Sequence, residues 1–370
     1  MQNSLPALSR GEKTKGRVWE EMEKITVAVF FGGCSPEYSV SLQSAAAVLE
    51  ALPPERYKAV AVGITPEGRW YDYGGDIQAI REDQWLCQGP CVPAILSPNR
   101  GEKGLLLFEK GGVRRLAIDA ALPMLHGQLG EDGSIQGLIA LAGIPLVGCG
   151  VLASALCMDK DRARRLASLT GVLIPLSVTV ERGEGIERAA ALGRDKGYPL
   201  FVKPVGAGSS YGVSRVEREE ELAPALKLAF RYDSRALVEE AIPGAEVGCA
   251  VLGRETLTTG AVDLVELAGG FLDFTEKYTP RTSVTHCPAP LPPKTAEEIQ
   301  EVAKAIYRSL GCSGFARVDL FLTPEGRLVF NEVNTIPGCT PHSRFPAMLA
   351  AAGLSLPEVL ERTIGEAVER

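Results

Sequence analysis

Histidine is scarce in this chain of 370 residues, which holds only His126, His286 and His342. None stands at ligand spacing to another histidine or to a cysteine, which argues against a zinc site. The nine cysteines are odd in number, scattered and without a C-x-x-C pair, so no disulfide framework is written into the sequence. Reduced thiols in a cytoplasmic protein fit that pattern. A basic stripe is also missing: 46 acidic residues outnumber 39 basic ones, for a net charge of −7, and nucleic acid is not an expected partner. No Gly-Lys-Ser/Thr closes a P-loop. Residues 1–23 are polar, lack the apolar centre of a signal peptide and read as a disordered extension. The long uncharged stretch Leu138 to Met158 contains Pro145, Gly143, Gly148 and Gly150. These residues divide it into helix, buried strand and second helix, so no membrane span is expected.

What is present suffices for more than one core, with 45% hydrophobic and 23% charged residues. Ile25–Phe31 is an apolar run typical of a central parallel strand, and a glycine turn and a helical segment from Ser41 to Leu52 follow it. Strands at Tyr57–Gly63, Ala117–Met124 and Ile144–Val147 complete a doubly wound α/β domain over 24–150. Residues 74–116 read as an insertion with short strands such as Gly104–Phe108. A second unit over 151–241 starts with a helix near Lys160–Ser168 and continues with strands Ser177–Val180, Leu200–Lys203 and Ala236–Glu239. A third unit, 242–370, carries strands Glu246–Leu252, Thr258–Glu266, Ala316–Leu322 and Arg327–Glu332, with a final helix Leu356–Val368. The class is α/β and α+β in three domains.

The strongest chemical signal is a predicted hairpin near the C-terminus. Side chains alternate along a strand, so Arg317 and Asp319 share a face, as do Glu332 and Asn334 on the partner strand. Oxygen ligands without histidine or cysteine suit Mg²⁺ bridging phosphates. A plain solvated hairpin face is the bland alternative, and the apolar residues at the alternate positions argue against it. A second signal is Lys203 at a strand end before Val205-Gly-Ala-Gly-Ser209-Ser210-Tyr-Gly212, where glycine lets backbone N–H groups approach phosphate. An acidic run follows, with Glu239, Glu240 and Glu246, any of which could face a ribose. His126-Gly127 and the turn bearing Glu37 fall at the carboxyl edge of the first sheet, where ligands of such folds bind. A polar segment over 266–288 is long enough to be a lid.

Together these segments resemble the ATP-grasp superfamily, and within it the D-alanine–D-alanine ligases. The match runs from about Ile25 to the end, through FFGGCSPEYSVSL, MLHGQLGEDGSIQG, CMDKDRAR, FVKPVGAGSSYGVS, the FTEKY lid and NEVNTIPGCTPHS. The resemblance implies ATP between two sheets and two Mg²⁺ ions, with Mn²⁺ as a substitute. Lys160 and Lys203 would contact phosphates, with Ser210 and Glu239 also in the nucleotide site. The backbone of Glu240 and Ile242 would hold adenine and Glu246 the ribose. Lys277 would reach the γ-phosphate, and Asp319, Glu332 and Asn334 would bind metal. Glu37 would pair with the ammonium of the first D-amino acid, near His126, and join Ser209 and Tyr278 in a network that clamps the lid. Arg317 and the Gly338 N–H would stabilise the oxyanion. Ser343 would bind the carboxylate of the second amino acid. The product would be a D-alanyl dipeptide for peptidoglycan precursors, made by a homodimer.

Within the family the chain looks closest to the vancomycin-resistance D-alanine–D-serine ligases. The FTEKYT lid, Asp263 and His342-Ser343-Arg344-Phe-Pro carry that likeness. Arg344 stands where D-alanine–D-alanine enzymes commonly have an aliphatic residue, and could hydrogen-bond a serine hydroxyl. Leu272 stands where the serine enzymes usually have Phe, so the acceptor stays open between D-alanine and D-serine. Tyr278 argues against a D-lactate enzyme. Two rival readings are another ATP-grasp carboxylate–amine ligase and a non-catalytic nucleotide-binding protein. The first should lack the Glu37-Tyr-Ser-Val-Ser and His126-Gly127 segments, and the second should have lost metal ligands or Arg317.

Overall fold

The computed structural model describes residues 24–267 and 283–369. The expected apolar run forms β1 (Ile25–Gly32), with Val27 to Phe31 fully buried, as a strand covered on both faces must be. The strands β2 (Tyr57–Ile64), β3 (Trp70–Tyr73), β4 (Cys91–Leu96), β5 (Gly104–Glu109), β6 (Gly112–Ala117) and β7 (Ala120–Pro123) follow. They assemble in the order β6-β5-β4-β3-β2-β1-β7. β1 is parallel to β2 and β7, whereas β3 to β6 form an antiparallel meander. The region expected as an insertion therefore extends the sheet, with Leu105 and Leu107 of β5 buried at strand period.

Helix α1 (Tyr38–Ala51) covers one face, with Leu42, Ala45, Val48 and Leu49 against Val27, Val29 and Phe31. After α2 (Ile77–Arg81), helix α3 (Ser134–Ala142) covers the other through Ile135, Ile139 and Ala142. Two strand boundaries differ from expectation. Ala117–Met124 is divided at Ile118–Asp119, where the Asp119 carboxylate takes the Thr26 N–H at 2.8 Å. Ile144–Val147 makes a single bridge, Leu146 to Ala121, because Pro145 has no N–H for a ladder.

In the next stretch come α4 (Val151–Met158), α5 (Lys160–Ser168), β8 (Ser177–Glu181), α6 (Glu187–Lys196), β9 (Leu200–Pro204), β10 (Ser214–Val216), α7 (Leu222–Ala229) and β11 (Arg235–Glu240). The strands form an antiparallel sheet, β10-β9-β11-β8, and α6 and α7 share its core. Asp159 caps α5 by accepting from the Arg162 N–H at 3.0 Å. Ala153, Cys157, Ala163 and Ala167 of α4 and α5 pack into a different core, that of the last sheet.

That sheet runs β14-β13-β12-β15-β16 and is antiparallel throughout. Its strands are β12 (Ala245–Gly253), β13 (Leu257–Leu267), β14 (Ser283–His286), β15 (Phe315–Leu322) and β16 (Leu328–Asn334). The β15–β16 hairpin closes through Thr323 and Gly326, whose N–H donates to the Thr323 carbonyl at 2.9 Å. Helix α8 (Pro293–Ser309) contributes Ile299, Ala303 and Ile306 to this sheet's core, and α9 (Arg344–Ala351) packs on β13 and β12. The last helix, α10 (Leu356–Val368), returns Val359, Leu360 and Ile364 to the core of the first sheet. Each of these aliphatic side chains contributes roughly 1.5–3 kcal/mol by burial. Among the described residues no helix is long and apolar enough to cross a membrane.

Candidate active site

The hairpin builds the first wall of the site. Arg317 lies opposite Asn334, and Asp319 opposite Glu332. Beyond them the register shifts, so that Asn331 is the extra residue of a bulge. The bulge keeps Phe330 in the core with Leu320 while Glu332 and Asn334 stay on the polar face. Arg317 grips Asp319 with two nitrogens, Nε at 2.8 Å and Nη2 at 2.7 Å, and Asn334 Nδ2 donates to Asp319 at 2.9 Å. Asp319 is only 1% exposed. Burial opposes charge on Arg317, but the carboxylates of Asp319 and Asp263 together raise the guanidinium above its ordinary pKa.

On the same face Gly248 of β12 is the register partner of both Asp319 and Asp263. Arg344, the first residue of α9, lies over that glycine. It forks onto Asp263 at 2.7 and 2.8 Å, reaches Glu246 at 2.5 Å and stands 3.5 Å from Asp319. A Cβ on Gly248 would stand 2.5 Å from Arg344 Nη2 and 2.8 Å from both Asp263 Oδ1 and Met348 Cε. The hole left by glycine is what seats the guanidinium. Asp263 is 0% exposed, so any influence on a substrate passes through Arg344. Glu246, expected at the ribose, is drawn into the same cluster.

The first domain supplies the opposite wall. Glu37 occupies the N-cap position of α1 but does not cap it with its side chain; its carboxylate accepts from Ser209 Oγ of the glycine-rich loop. Gly127, at φ +75°, allows this approach, because a Cβ there would fall 2.2 Å from Glu37 Oε2. Ser35 Oγ donates to the His126 carbonyl at 2.6 Å and accepts from the Glu37 N–H at 3.1 Å. His126 Nε2 meets Ser44 Oγ at 3.0 Å, and burial lowers its pKa to about 4, so the ring is neutral near pH 7. Glu131 accepts from the N–H groups of Gly127 at 2.9 Å and Ile336 at 3.1 Å, joining the two walls. Burial, followed by the charge of Glu37, pushes Glu131 up to about 8.

The lysines come from the middle sheet and α5. Lys203 Nζ lies 2.9 Å from Glu239, whose other oxygen takes Arg164 Nη1. Burial pulls Lys203 down to about 8, against the favourable charge of Glu239. Burial alone would raise Glu239, yet Arg164 and then Lys203 hold it below the ordinary carboxylate value. Lys160 donates to the Ala207 carbonyl at 2.5 Å and stands 3.9 Å from Glu332, so one lysine links the glycine-rich loop to the hairpin. Ser209 and Ser210 both take positive φ, 48° and 57°, in that loop. Glu240 ends β11, pairs through its side chain with the Leu176 N–H at 2.8 Å, and precedes the half-buried Ile242. Gly338 lies against Ser343, whose Oγ would be 2.9 Å from an added Cβ; Ser343 Oγ also meets Thr340 Oγ1 at 2.8 Å. Lys277 and Tyr278 lie outside the described residues.

Thus the structure gathers Glu37, His126 and Ser209 at one end, Lys160, Lys203 and Glu239 beside the glycine-rich loop, and Arg317, Asp319, Glu332, Asn334, Asp263 and Arg344 on the last sheet. Sequence reasoning assigned no role to Ser35, Ser44, Glu131, Arg164 or Gly248. Glu131 stood in view, inside the quoted segment MLHGQLGEDGSIQG, whereas a glycine inside a strand announces nothing about what packs on it.

Lysines from one antiparallel sheet and from helix α5, set against carboxylates on a second sheet, beside an α/β domain, define the ATP-grasp architecture of an ATP-dependent carboxylate–amine ligase. Models of the D-ala D-ala ligase N-terminus and C-terminus match residues 26–149 and 173–365. The chain belongs to the D-alanine–D-alanine ligase family. It is 44% identical over 348 residues to the vancomycin C-type resistance protein VanC1 of Enterococcus gallinarum, covering 93% of this chain and 98% of that one. It is 41% identical over 353 residues to a D-alanine–D-alanine ligase of Thermoanaerobacter sp., covering 94% and 98%. The VanG D-Ala:D-Ser ligase from Enterococcus faecalis superposes with a TM-score of 0.85 at 48% identity, covering 93% and 100%. Use of ATP, with metal ions, is a property of the family.

Proposed function

We propose that this chain activates D-alanine as D-alanyl phosphate and joins it to a second D-amino acid, D-alanine or D-serine, for peptidoglycan precursors in the cytoplasm. The observation that carries the reading is the approach of Lys160 to Glu332, 3.9 Å, which closes a lysine-lined loop onto the carboxylate hairpin. A free carboxylate is a poor acyl donor, and phosphorylation gives it a good leaving group. Phosphoryl transfer needs positioning and charge neutralisation, which Lys160 and Lys203 are placed to supply, with Lys277 from the lid. Ser210 lies beside Ser209 in the phosphate-side loop. The backbone of Glu240 and Ile242 at the end of β11 would hold the base, with Glu239 behind Lys203 in the nucleotide site; Glu246 would reach the ribose only by sharing its carboxylate with Arg344.

Asp319, Glu332 and Asn334 fit Mg²⁺ or Mn²⁺ by donor chemistry. They offer hard oxygens on adjacent strands, while among the described residues no group of three or more His, Cys, Asp or Glu side chains is placed to hold a metal ion on its own. Two bound ions would supply charge neutralisation at the phosphates. Glu37 would hold the donor ammonium, with neutral His126 beside its carboxylate, and Ser209 and Tyr278 would complete the clamp. Arg317 and the Gly338 N–H would stabilise the oxyanion as the acceptor amine attacks. Ser343, at the N-terminus of α9, would take the acceptor carboxylate, where a helix favours an anion. Arg344, steadied by Asp263, would offer N–H groups to a serine hydroxyl. The likeness to the VanG D-Ala:D-Ser ligase supports D-serine, and a homodimer is proposed from the family.

Product analysis by mass spectrometry, with D-alanine, D-serine and D-lactate competing as acceptors, tests the reading. D-alanyl dipeptides with D-serine or D-alanine are expected. A D-lactate ester as the main product would refute the acceptor assignment, and ATP hydrolysis without any product would refute the ligase.

A further inference from the structure

Arg164 is a buried cation that the reading above does not use. It sits one helical turn beyond Lys160 on α5, so the two side chains share a face of the helix. It is 1% exposed. A guanidinium carries five N–H donors, and a buried arginine with a structural task uses most of them. Here Nη1 bonds Glu239 Oε2, while Nε and Nη2 have no hydrogen-bond partner among the described residues. A dense hydrogen-bond network therefore does not explain its burial. Its charge beside Glu239 does.

Glu239 has two cations, Arg164 on one oxygen and Lys203 on the other at 2.9 Å. Both partners of the Lys203 pair are buried. Were Lys203 the sole counter-charge, taking it away would strand a buried ionised carboxylate without a partner, which is strongly unfavourable. With Arg164 fixed on α5, Glu239 remains paired and Lys203 is free to turn to an incoming phosphate.

We infer that Arg164 is a nucleotide-positioning residue: it neutralises Glu239 permanently, so that Lys203 can leave Glu239 for a nucleoside triphosphate. This rests on the nucleotide-site reading of the same cleft. Arg164 does not touch the reacting atoms; it acts through Glu239 and Lys203.

The test is calorimetric binding of Mg·ATP to the full chain without amino acids, with unfolding temperatures recorded for each variant. Arg164→Met should raise the Kd for ATP by about tenfold or more, the loss expected when one partner of a buried charge cluster is removed. Adding Glu239→Gln to Arg164→Met should recover most of that loss, because no carboxylate is then left to hold Lys203. Arg164→Lys, which keeps the charge and discards the two unused nitrogens, should bind within about threefold of wild type. Wild-type affinity in Arg164→Met would overturn the inference, as would a double variant as weak as the single one or a loss in Arg164→Lys equal to that in Arg164→Met. Should Arg164→Met not fold, the double and lysine variants decide by the same criteria. Lys160→Ala is the control for the site itself: if it leaves ATP binding unchanged, the nucleotide-site reading fails and this inference with it.

Discussion

Gly127→Ala is expected to damage the donor side of the site selectively. Two effects separate. First, Gly127 sits at φ +75°, where a Cβ costs roughly 1–2 kcal/mol of backbone strain, and this falls on stability. Second, the new Cβ would be placed 2.2 Å from Glu37 Oε2 and 3.1 Å from Ser35 Oγ. Glu37 must retreat, and its hydrogen bond from Ser209 is lost. A hydrogen bond to a charged group contributes about 1.5–3 kcal/mol. Expressed as affinity, that is roughly a 10- to 100-fold rise in KM for the donor amino acid. ADP release would be followed in a coupled assay, titrating donor at saturating ATP and acceptor, then ATP at saturating amino acids. The KM for ATP should hold within about threefold, since Gly127 makes no contact with Lys203 or Glu239. A folded Gly127→Ala enzyme with an unchanged donor KM would refute the claim that glycine is required for Glu37 to reach its place.

Arg317→Ala should leave ATP binding nearly intact and abolish dipeptide formation, with the loss of one oxyanion donor worth about 3 kcal/mol of barrier; phosphate release and calorimetry together check it. Gly248→Ala should push Arg344 off Asp263 and raise the acceptor KM by roughly tenfold while sparing the donor, read from steady-state kinetics with each substrate varied. His126 has a folded pKa of about 4 against an ordinary 6.5, so the unfolded chain binds more protons between those values. Its contribution, about 3 kcal/mol, is present above pH 6.5 and lost as pH falls through 4. Denaturant unfolding at pH 7, 5 and 4 should show that slope in the wild type and not in His126→Asn. Glu131 acts in the opposite sense, its contribution being lost as pH rises through about 8, so the difference between the two proteins is the quantity to compare.

The elements most legible in the sequence are those with an unbroken period and clear punctuation. β1 is a pure apolar run, α5 begins at an aspartate cap, and the β15–β16 hairpin has alternating faces and a Pro-Glu-Gly turn. The alternation of that hairpin was enough to expect Arg317, Asp319, Glu332 and Asn334 on one patch, and they meet there. The antiparallel extension over β3 to β6 was obscured because its prolines and glycines imitate a loop, and Ile144–Val147 misled because a short apolar run around a proline imitates a strand. What no local pattern carries is partnership across the fold. The fork from Arg344 to Asp263 joins residues 81 apart in the chain. Arg164 and Glu239 are 75 apart, and Ser44 meets His126 across 82. The polarity of each is visible in sequence, but its partner is set only when sheets and helices dock.

The cluster beneath Arg344 also bears on how such an enzyme can change its taste. Its members, Glu246, Gly248, Asp263 and Arg344, lie on two strands and one helix of the last sheet, and none belongs to the first domain that holds Glu37 and His126. On the proposed reading, binding of the donor and choice of the acceptor would thus be carried by separate stretches of polypeptide. A handful of substitutions there could then redirect the terminus of a cell-wall precursor while leaving the donor pocket of the first domain untouched.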